Sequence, residues 1–234
     1  MAYFSENSTD STWQPDFPAP PYNCTLCPRL HSFLLAQRQK EPTWHNAPVP
    51  AFFPALGPLS TRLLIVGLAP GLSGANRTGR AFTGDYAGIL LYKTLERFGF
   101  SRGAFAAMAD DGVSLIETAI VNAVRCVPPQ NKPLGDEIKH CRRFLTPLLL
   151  KLPRLCAVIS LGSVAHNSTL RALEARPSAY PFGHHKVYDI GKLRLFSSYH
   201  CSRYNTNTGV LTEAMFHALF KDVRHYLDEI SQRH

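Results

Sequence analysis

The stretch from Gly67 to Gly88 is a long glycine-rich connection of the kind that builds binding sites. It reads GLAPGLSGANRTGRAFTGDYAG, follows an apolar run that ends at Val66, and stops where a helical pattern begins. Long connections between a buried strand and a helix are uncommon in compact domains and are usually functional. Glycine lets the backbone approach a ligand closely and turn its N–H groups towards it. We therefore expect this loop to form the floor of a binding site.

Three polar clusters could supply chemical groups to such a site. Asp85 follows Thr83 and Gly84 at the start of the helical pattern, where it suits either a helix N-cap or a catalytic carboxylate. Asn122 is either a turn former or an amide that reads the edge of a nucleobase-like ring. His200 opens a polar loop that is either a solvated connection or the carrier of a base or oxyanion stabiliser. The residues alone leave both interpretations open in each case.

Four of the six cysteines have the spacing of a metal site. Cys24 and Cys27 form a C-x-x-C pair, and Cys126 and Cys141 flank a proline-rich loop. A four-thiolate site would tie the N-terminal arm to the middle of the chain. A redox C-x-x-C pair or four separate free thiols are the alternatives, and spacing does not distinguish zinc from an iron–sulfur cluster. Cys156 lies in an apolar run and is expected to be a small buried hydrophobe.

Short apolar runs alternate with helical patterns from residue 62 onwards. This alternation predicts an α/β domain whose parallel sheet is covered by helices on both faces. The predicted strands are Leu63–Val66, Ala119–Val121, Ala157–Leu161 and Leu193–Ser197. The predicted helices are Pro28–Lys40, Ile89–Phe98, Ile138–Leu150, Val164–Leu173 and Leu211–Ile230.

The carboxyl ends of these strands predict where a ligand binds. The Gly67 loop follows the first strand, Asn122 the second, Gly162 and Ser163 the third, and His200 comes after the fourth. Ligands of open α/β sheets bind outside the carboxyl ends of the strands. We therefore expect the pocket to lie at this edge of the sheet.

Composition and charge limit the class of protein and the kind of partner. The 234 residues are 45% hydrophobic and 18% charged, which suits one globular domain over residues 22–234 behind a flexible tail over residues 1–21. Neither a membrane-length apolar run nor a signal-peptide pattern is present in the sequence, so the expected location is cytoplasmic. The first 20 residues hold three of the 17 acidic and none of the 25 basic side chains, so the remainder carries a net charge of +11. Such an excess favours a polyanionic partner such as nucleic acid, with a merely basic soluble enzyme as the alternative.

Several of these motifs together resemble the uracil-DNA glycosylase superfamily. The motifs are GLAPG with GANRTGRAFTGDYAG, then NAVRCVPPQNKP, then a histidine-led H-x-S-x-x-N-T-x-T-G loop, in the family's order. They are most similar to the iron–sulfur type-b (family 5) branch. The resemblance implies a central four-stranded parallel sheet flanked by helices. It also implies a 4Fe–4S cluster held by Cys24, Cys27, Cys126 and Cys141, and a DNA-repair activity.

The resemblance implies roles for individual residues in excising a flipped base from double-stranded DNA. Phe82 would stack on the base, Asn122 would bond its edge, and backbone N–H groups of the Gly67–Gly71 turn would hold a base carbonyl. Asp85, supported through the type-b branch, would stabilise the sugar cation and orient water, and His200 would stabilise the departing base. The implied substrate-binding positions are Gly67, Ala69, Gly71, Phe82, Gly84, Asn122, Ser202 and Arg203.

The loop around His200 departs from the family pattern. The usual His-Pro-Ser reads His200-Cys201-Ser202 here, which frees the φ angle at the second position. Ser202 is expected to contact a phosphate, and Arg203 with Tyr204 to occupy the space left by the flipped nucleotide. His184 and His185 are expected to belong to a surface loop.

The expected activity is therefore a monofunctional glycosylase, acting as a monomer on uracil and on other deaminated bases such as hypoxanthine or xanthine. A non-catalytic, metal-stabilised DNA-binding module is the alternative. A nucleotide-dependent enzyme is disfavoured because no Gly-Lys-Ser/Thr follows the glycine-rich loop.

Overall fold

The fold is organised by a five-stranded sheet in the order β4-β1-β5-β7-β6. The computed structural model describes residues 17–232, so most of the predicted tail lies outside the described residues. The sheet strands are β1 (Leu63–Gly67), β4 (Thr118–Asn122), β5 (Ala157–Leu161), β6 (Lys186–Ile190) and β7 (Leu193–Ser198). Two further short strands, β2 (Ser101–Arg102) and β3 (Ser114–Leu115), pair with each other outside this sheet.

The four predicted strands are confirmed and run parallel to one another. Strand β1 lies between β4 and β5, and β7 extends the sheet beyond β5. The fifth strand, β6, is absent from the sequence prediction and pairs antiparallel with β7 at the edge. Most of its side chains are exposed, so it has no apolar run by which it could be recognised. Gly191, at φ 59°, provides the left-handed turn between β6 and β7.

Eight α-helices accompany the strands in the described part of the chain. They are α1 (Pro28–Lys40), α2 (Ala75–Thr78), α3 (Tyr86–Arg97), α4 (Gly135–Cys141), α5 (Thr146–Lys151), α6 (Ser163–Ala172), α7 (Arg203–Asn207) and α8 (Glu213–Gln232). The single helix predicted over Ile138–Leu150 is wrong, because a 3₁₀ turn at Arg142–Phe144 separates α4 from α5. Pro147 lies in the first turn of α5. Proline is tolerated there because its missing N–H would have no partner within the helix, but it would break a helix that continued through this position. No helix within residues 17–232 is long and apolar enough to cross a membrane.

The sheet separates two apolar layers. Along β1, Leu63 and Ile65 pack into a layer with α3 and α8, whereas Leu64 and Val66 pack into a layer with α5 and α6. Alternate side chains of a strand point to opposite faces of the sheet, so the apolar residues of β1 contribute to both layers. Cys156, expected to be buried, is only partly covered beside the first layer.

The N-terminal arm runs along the outer side of β4 and is fastened to the Gly67–Gly88 loop. Phe52 exchanges two backbone hydrogen bonds with Ile120, at 2.8 and 2.9 Å, which covers the free edge of the sheet. Asn46 is buried, and its side chain accepts from Asn76 Nδ2 at 2.8 Å and donates to the Glu41 carbonyl oxygen at 2.7 Å. Phe17 and Phe53, whose ring centroids lie 6.0 Å apart, both pack against the apolar layer that contains α5 and α6.

We expect Asn46→Ala to lower the free energy of unfolding by about 2–4 kcal/mol, because it leaves several buried groups without partners. Chemical denaturation at neutral pH measures the loss. Asn207→Ala, at an exposed position of the same residue type, is the control and should change stability by less than about 0.5 kcal/mol. Equal effects of the two substitutions would contradict the fastening role of Asn46.

Candidate active site

A small recess at the carboxyl ends of β1, β4 and β7 gathers the polar residues that the sequence singled out. Its volume is about 30 Å³. Asn122 ends β4, His200 follows β7, and Phe82 and Asp85 come from the glycine-rich loop before α3. The lining residues are Ala69, Gly71, Ala75, Phe82, Asp85, Ala87, Asn122 and His200. The predicted position of the pocket is therefore where these side chains meet.

Asn122 is buried yet keeps its amide free. It pairs with Gly67 across the β4–β1 ladder, and its residue is only 3% exposed. Its side chain makes no hydrogen bond to any other described residue, and it lines the recess. Burying an unpaired amide costs free energy, so such groups usually await a ligand.

Gly67 leaves no room for a larger residue beside Asn122. A Cβ atom at Gly67 would lie 2.6 Å from Phe82 Cζ and closer still to Asn122 Oδ1. Real Cβ contacts are never this short, so glycine is what allows the amide and the ring to approach the strand end. The N–H groups of Ala69 and Gly71, which line the recess, donate no hydrogen bond to other described residues.

Asp85 is both the N-cap of α3 and a wall of the recess. Its Oδ1 accepts from the Gly88 N–H at 3.2 Å, which confirms the cap interpretation. Its Oδ2 faces the backbone of Gly71 and Gly74, where added Cβ atoms would lie 3.0 and 2.5 Å away. Burial raises the pKa of the carboxyl, and the N–H groups of Gly88 and Ala87 oppose this rise by stabilising the anion. One oxygen is thus used for structure and the other remains available.

Phe82 holds a backbone conformation that bulky residues rarely adopt. Its φ angle is 55°, in the left-handed region. The residue is 5% exposed, and its ring lies nearly parallel to that of His200, at 23° and 5.9 Å between centroids. Strained conformations of this kind cluster at ligand sites, because the surrounding structure must enforce them.

His200 presents a neutral imidazole to the recess. Burial lowers its pKa to about 4, so the ring is uncharged at neutral pH. The ring nitrogens make no hydrogen bond to other described residues, whereas the backbone carbonyl accepts from Asn205 Nδ2 at 2.8 Å. The backbone is fixed by α7 while the ring keeps its donor and acceptor free.

Cys201, which replaces the family's proline, is fully buried beneath the recess. Its thiol donates to the Ala87 carbonyl oxygen at 3.5 Å, so it binds the His200 loop to the first turn of α3. Burial, together with the nearby Asp85, raises the pKa of the thiol. The thiol is therefore a packing group with a hydrogen bond rather than a spare nucleophile.

A wider groove of about 430 Å³ borders the recess and shares Asp85 and His200 with it. Ser202 and Arg203 line it as predicted; Ser202 also caps α7, accepting from the Asn205 N–H at 3.4 Å. Arg203 lies over the ring of Tyr86, 5.3 Å from its centroid. Tyr204 is 74% exposed beside them.

Two groove residues, Tyr86 and Asn131, escaped the sequence prediction. Asn131 belongs to the proline-rich loop between Cys126 and Cys141 and has a φ angle of 57°. The proline-rich composition signals a rigid loop, but nothing in it indicates which residue reaches the groove.

Three other singled-out positions lie outside the recess and the groove. Gly84, at φ 94°, supports the loop: a Cβ there would lie 2.8 Å from Arg77 Nη2. His184 lies 3.3 Å from Ser198 Oγ, and His185 pairs with Asp222 at 2.8 Å. These contacts give all three residues local structural roles.

The four predicted cysteines line a second, closed cavity of about 10 Å³ under α1. Cys24 and Cys27 precede α1, Cys126 follows β4, and Cys141 ends α4. Burial raises the pKa of Cys27 to about 11 and also raises the pKa values of Cys126 and Cys141, with the neighbouring thiols adding to the shift at Cys27 and Cys126. Within residues 17–232 no group of three or more His, Cys, Asp or Glu side chains is arranged to hold a single metal ion.

Arg125 opposes part of the rise in the pKa values of Cys126 and Cys141. The Arg125 N–H donates to Cys141 Sγ at 3.2 Å, and the buried Arg125 side chain donates to the Val49 carbonyl oxygen at 3.1 Å. Arg29 on α1 forms a bidentate pair with Glu137 on α4, at 2.7 and 2.8 Å. Hydrogen bonds and cations beside thiols stabilise the thiolate form that binds metals.

Comparison with known proteins identifies the family. The model of the uracil DNA glycosylase superfamily matches residues 54–224. The chain is 40% identical over 200 residues to a type-5 uracil-DNA glycosylase of Thermus thermophilus, covering 82% of this chain and 89% of the relative. A type-5 enzyme of Pyrobaculum aerophilum is 38% identical over 208 residues, covering 87% and 89%. A type-4 enzyme of the same organism is 31% identical over 156 residues, covering 66% of this chain and 63% of the relative.

We expect the imidazole of His200 to stay neutral down to about pH 4 in the folded protein. Its folded pKa of about 4 lies below the ordinary value of 6.5, so the unfolded chain binds a proton that the folded chain does not. The neutral imidazole of His200 therefore contributes to the free energy of unfolding above pH 6.5, and this contribution is lost as the pH falls from 6.5 towards 4. Histidine NMR titration, assigned with His200→Asn, measures this pKa; a midpoint near 6.5 would contradict the argument.

Proposed function

The chain belongs to the uracil-DNA glycosylase superfamily, and we propose that it is a type-5 uracil-DNA glycosylase that excises uracil from DNA. One observation carries the proposal: the free amide of Asn122, the free ring nitrogens of His200 and one free carboxylate oxygen of Asp85 surround the same recess. Polar groups without protein partners, one buried and two half-buried, suit a ligand that supplies partners for all of them. A non-catalytic DNA-binding module would leave their cost unexplained.

The first step takes the base out of the duplex and into the recess. Enzymes that act on a base extrude it and read its Watson–Crick edge in a tight pocket. Phe82 provides the stacking face, and the amide of Asn122 provides one donor and one acceptor for that edge. The free N–H groups of Ala69 and Gly71 are placed to hold a carbonyl oxygen of the base. Such an edge exists in uracil and, in related form, in hypoxanthine and xanthine.

The second step breaks the N-glycosidic bond, with positive charge growing on the sugar and negative charge on the base. Asp85 is the acidic residue that lines the recess within residues 17–232, and its Oδ2 stabilises the sugar cation and orients the attacking water. The base leaves with the bonding electron pair, and water adds to the sugar C1′ while giving a proton to Asp85. Asp85 releases this proton to solvent, and the base anion takes up a proton from solvent. The Gly88 N–H on Oδ1, together with the Ala87 N–H, opposes the rise in the pKa of this carboxyl that burial causes.

His200 stabilises the departing base as a neutral hydrogen-bond donor. Its lowered pKa means that the ring donates an N–H without carrying a charge of its own. A preorganised donor in a water-poor recess stabilises a developing oxyanion more strongly than water does. The backbone anchor from Asn205 fixes the position from which the ring donates.

The groove beside the recess fits a DNA backbone. Ser202 offers a hydroxyl and Arg203 a guanidinium along it, and phosphate contacts of this kind set the register of a protein on DNA. The net charge of +11 outside the first 20 residues adds a salt-dependent attraction for the duplex. We infer double-stranded DNA as the substrate and a monomer as the working unit.

We further propose that Cys24, Cys27, Cys126 and Cys141 hold a 4Fe–4S cluster. The four thiols line one cavity and offer sulfur alone, the donor set of such clusters. A zinc site would bring the sulfurs to about 2.3 Å from one ion. A cluster binds each thiolate to a different iron, so it does not require the four sulfurs to surround a single ion. The bound cluster would supply a covalent cross-link between the arm and the sheet.

Asp85→Asn should slow excision by about 100-fold or more, because asparagine keeps the N-cap but cannot stabilise the cation by charge. The measurement is single-turnover cleavage of a duplex with one deoxyuridine, followed by alkali. DNA affinity should change by less than about threefold. Asp110→Asn, at an exposed acid nearby, is the control. Full activity of Asp85→Asn would remove this residue from the mechanism.

Protein purified without oxygen should contain about four iron atoms per chain and absorb visible light if the cluster assignment is right. Cys126→Ser should lose iron and colour, whereas Cys156→Ser, outside the cavity, should keep both. A colourless protein with one zinc per chain would overturn the assignment while leaving the excision activity to be judged separately.

A further inference from the structure

A buried ion pair lies immediately behind the recess and belongs to neither the base pocket nor the cysteine cavity. Arg80 Nη1 and Nη2 donate to the two carboxylate oxygens of Asp111 at 2.7 and 2.8 Å. The side chains are only 7% and 1% exposed. The pair joins the Gly67–Gly88 loop to the segment between β2 and β3, to which Arg80 also donates at the Ala109 carbonyl oxygen.

The guanidinium of Arg80 is enclosed on its remaining sides by aromatic rings. It lies 5.4 Å from the ring centroid of Phe52, 5.2 Å from that of Tyr92 and 5.8 Å from that of Phe105. These rings come from the arm, from α3 and from the β2–β3 segment. The bidentate ion pair and the surrounding rings hold the guanidinium in one orientation, so the Arg80 side chain is rigidly held within the loop.

Arg80 also donates to Thr83, the residue that follows Phe82. Its Nε donates to Thr83 Oγ1 at 2.8 Å, in a fully buried position. On the other side of Phe82, the Tyr92 hydroxyl donates to the Ala81 carbonyl oxygen at 2.8 Å. Both neighbours of Phe82 are therefore fixed by side chains, and the same ion pair supports one of them.

The bonding at Thr83 explains how Phe82 keeps its left-handed backbone. A bulky residue at φ 55° relaxes to a more common conformation unless the flanking residues prevent it. Thr83 is also held through its carbonyl oxygen, which accepts from Thr78 Oγ1 at 3.0 Å. Two residues later the chain reaches the carboxylate of Asp85, so displacement of Thr83 would move the stacking ring and the carboxylate together.

We propose that Arg80 and Asp111, acting through the Thr83 hydroxyl, are positioning residues that hold Phe82 and Asp85 in their reactive arrangement. The expected effect on the excision rate rests on the proposed glycosylase function. The positioning itself is a property of the protein without DNA. An ion pair that served stability alone would have no need of a donor aimed at Thr83. The ion pair between Arg154 and Glu117, at 3.1 Å, lies away from the recess and is an example of a pair that serves stability alone.

A matched pair of variants isolates the hydroxyl. Thr83→Ser keeps the oxygen that accepts from Arg80 and removes a methyl group, whereas Thr83→Val keeps the shape and removes the oxygen. Because misplacement of about 1 Å can cost about 100-fold in rate, we expect single-turnover excision to fall 10-fold to 100-fold in Thr83→Val. Thr83→Ser should stay within about threefold of the wild-type rate, and the affinity for a uracil-containing duplex should stay within about threefold in both variants.

A second measurement makes no use of activity. Hydrogen exchange of the peptide spanning residues 81–88 should be about tenfold faster in Thr83→Val and unchanged in Thr83→Ser. Arg80→Lys, which keeps the charge but loses the fork and the Nε donor, should resemble Thr83→Val in both measurements. Glu117→Gln breaks the distant pair and should leave the rate and this exchange unchanged.

The outcomes separate the two proposals. A wild-type protein that releases no uracil would overturn the proposed function, and hydrogen exchange would still decide whether Thr83 positions the loop. Active wild-type protein with equal rates and equal exchange in the serine and valine variants would overturn the positioning role alone. A loss confined to DNA affinity would also overturn it, since a displaced carboxylate lowers the rate of the bound complex. If Thr83→Val does not fold, Arg80→Lys takes its place in the comparison with Thr83→Ser. Thermal melting then shows whether the compared variants are folded.

Discussion

The close approach of the Gly67 backbone to Asn122 and Phe82 is the constraint on which the site depends. Strands β1 and β4 pair in register as far as Gly67 and Asn122, so the amide emerges beside the first glycine of the loop. A side chain at Gly67 would occupy the space now filled by the ring of Phe82. The parallel ladder therefore fixes the amide, and the absence of a Cβ admits the ring. The recess between them follows from these two conditions.

The recess contains polar groups that the fold leaves without partners, and burial tunes each of them differently. The pKa of the Asp85 carboxyl is raised by burial but held in check by backbone donors, whereas the pKa of His200 is lowered with no opposing partner. The result is a carboxyl with a raised pKa beside an imidazole kept neutral. In the proposed reaction, the carboxyl would act on the sugar and the imidazole on the base. Their arrangement costs stability, which the two apolar layers of the sheet supply.

Prediction from the sequence was reliable wherever a residue type has few alternative structural uses. The four parallel strands follow from apolar runs, and the rim residues follow from their place after those runs. Edge strand β6 was missed because its exposed side chains carry no such pattern, and the break between α4 and α5 was missed because helical spacing continues across Pro147. Asn131 and the Arg80–Asp111 pair were missed for another reason. Their partners are far apart in the chain, and no local pattern specifies a long-range contact.

The α/β class, the family resemblance and the residue types at the strand ends can be inferred from the amino-acid order alone, because they depend on local periodicity and on short motifs. Three-dimensional packing was needed to show that the Cys201 thiol bonds to Ala87, that His200 is neutral, and that Asp85 Oδ1 accepts from the Gly88 N–H. These properties are set by burial and by partners brought in from distant segments. Desolvation and hydrogen bonding depend on the three-dimensional surroundings of a group. These surroundings form only when the chain folds, so they cannot be read from the order of residues.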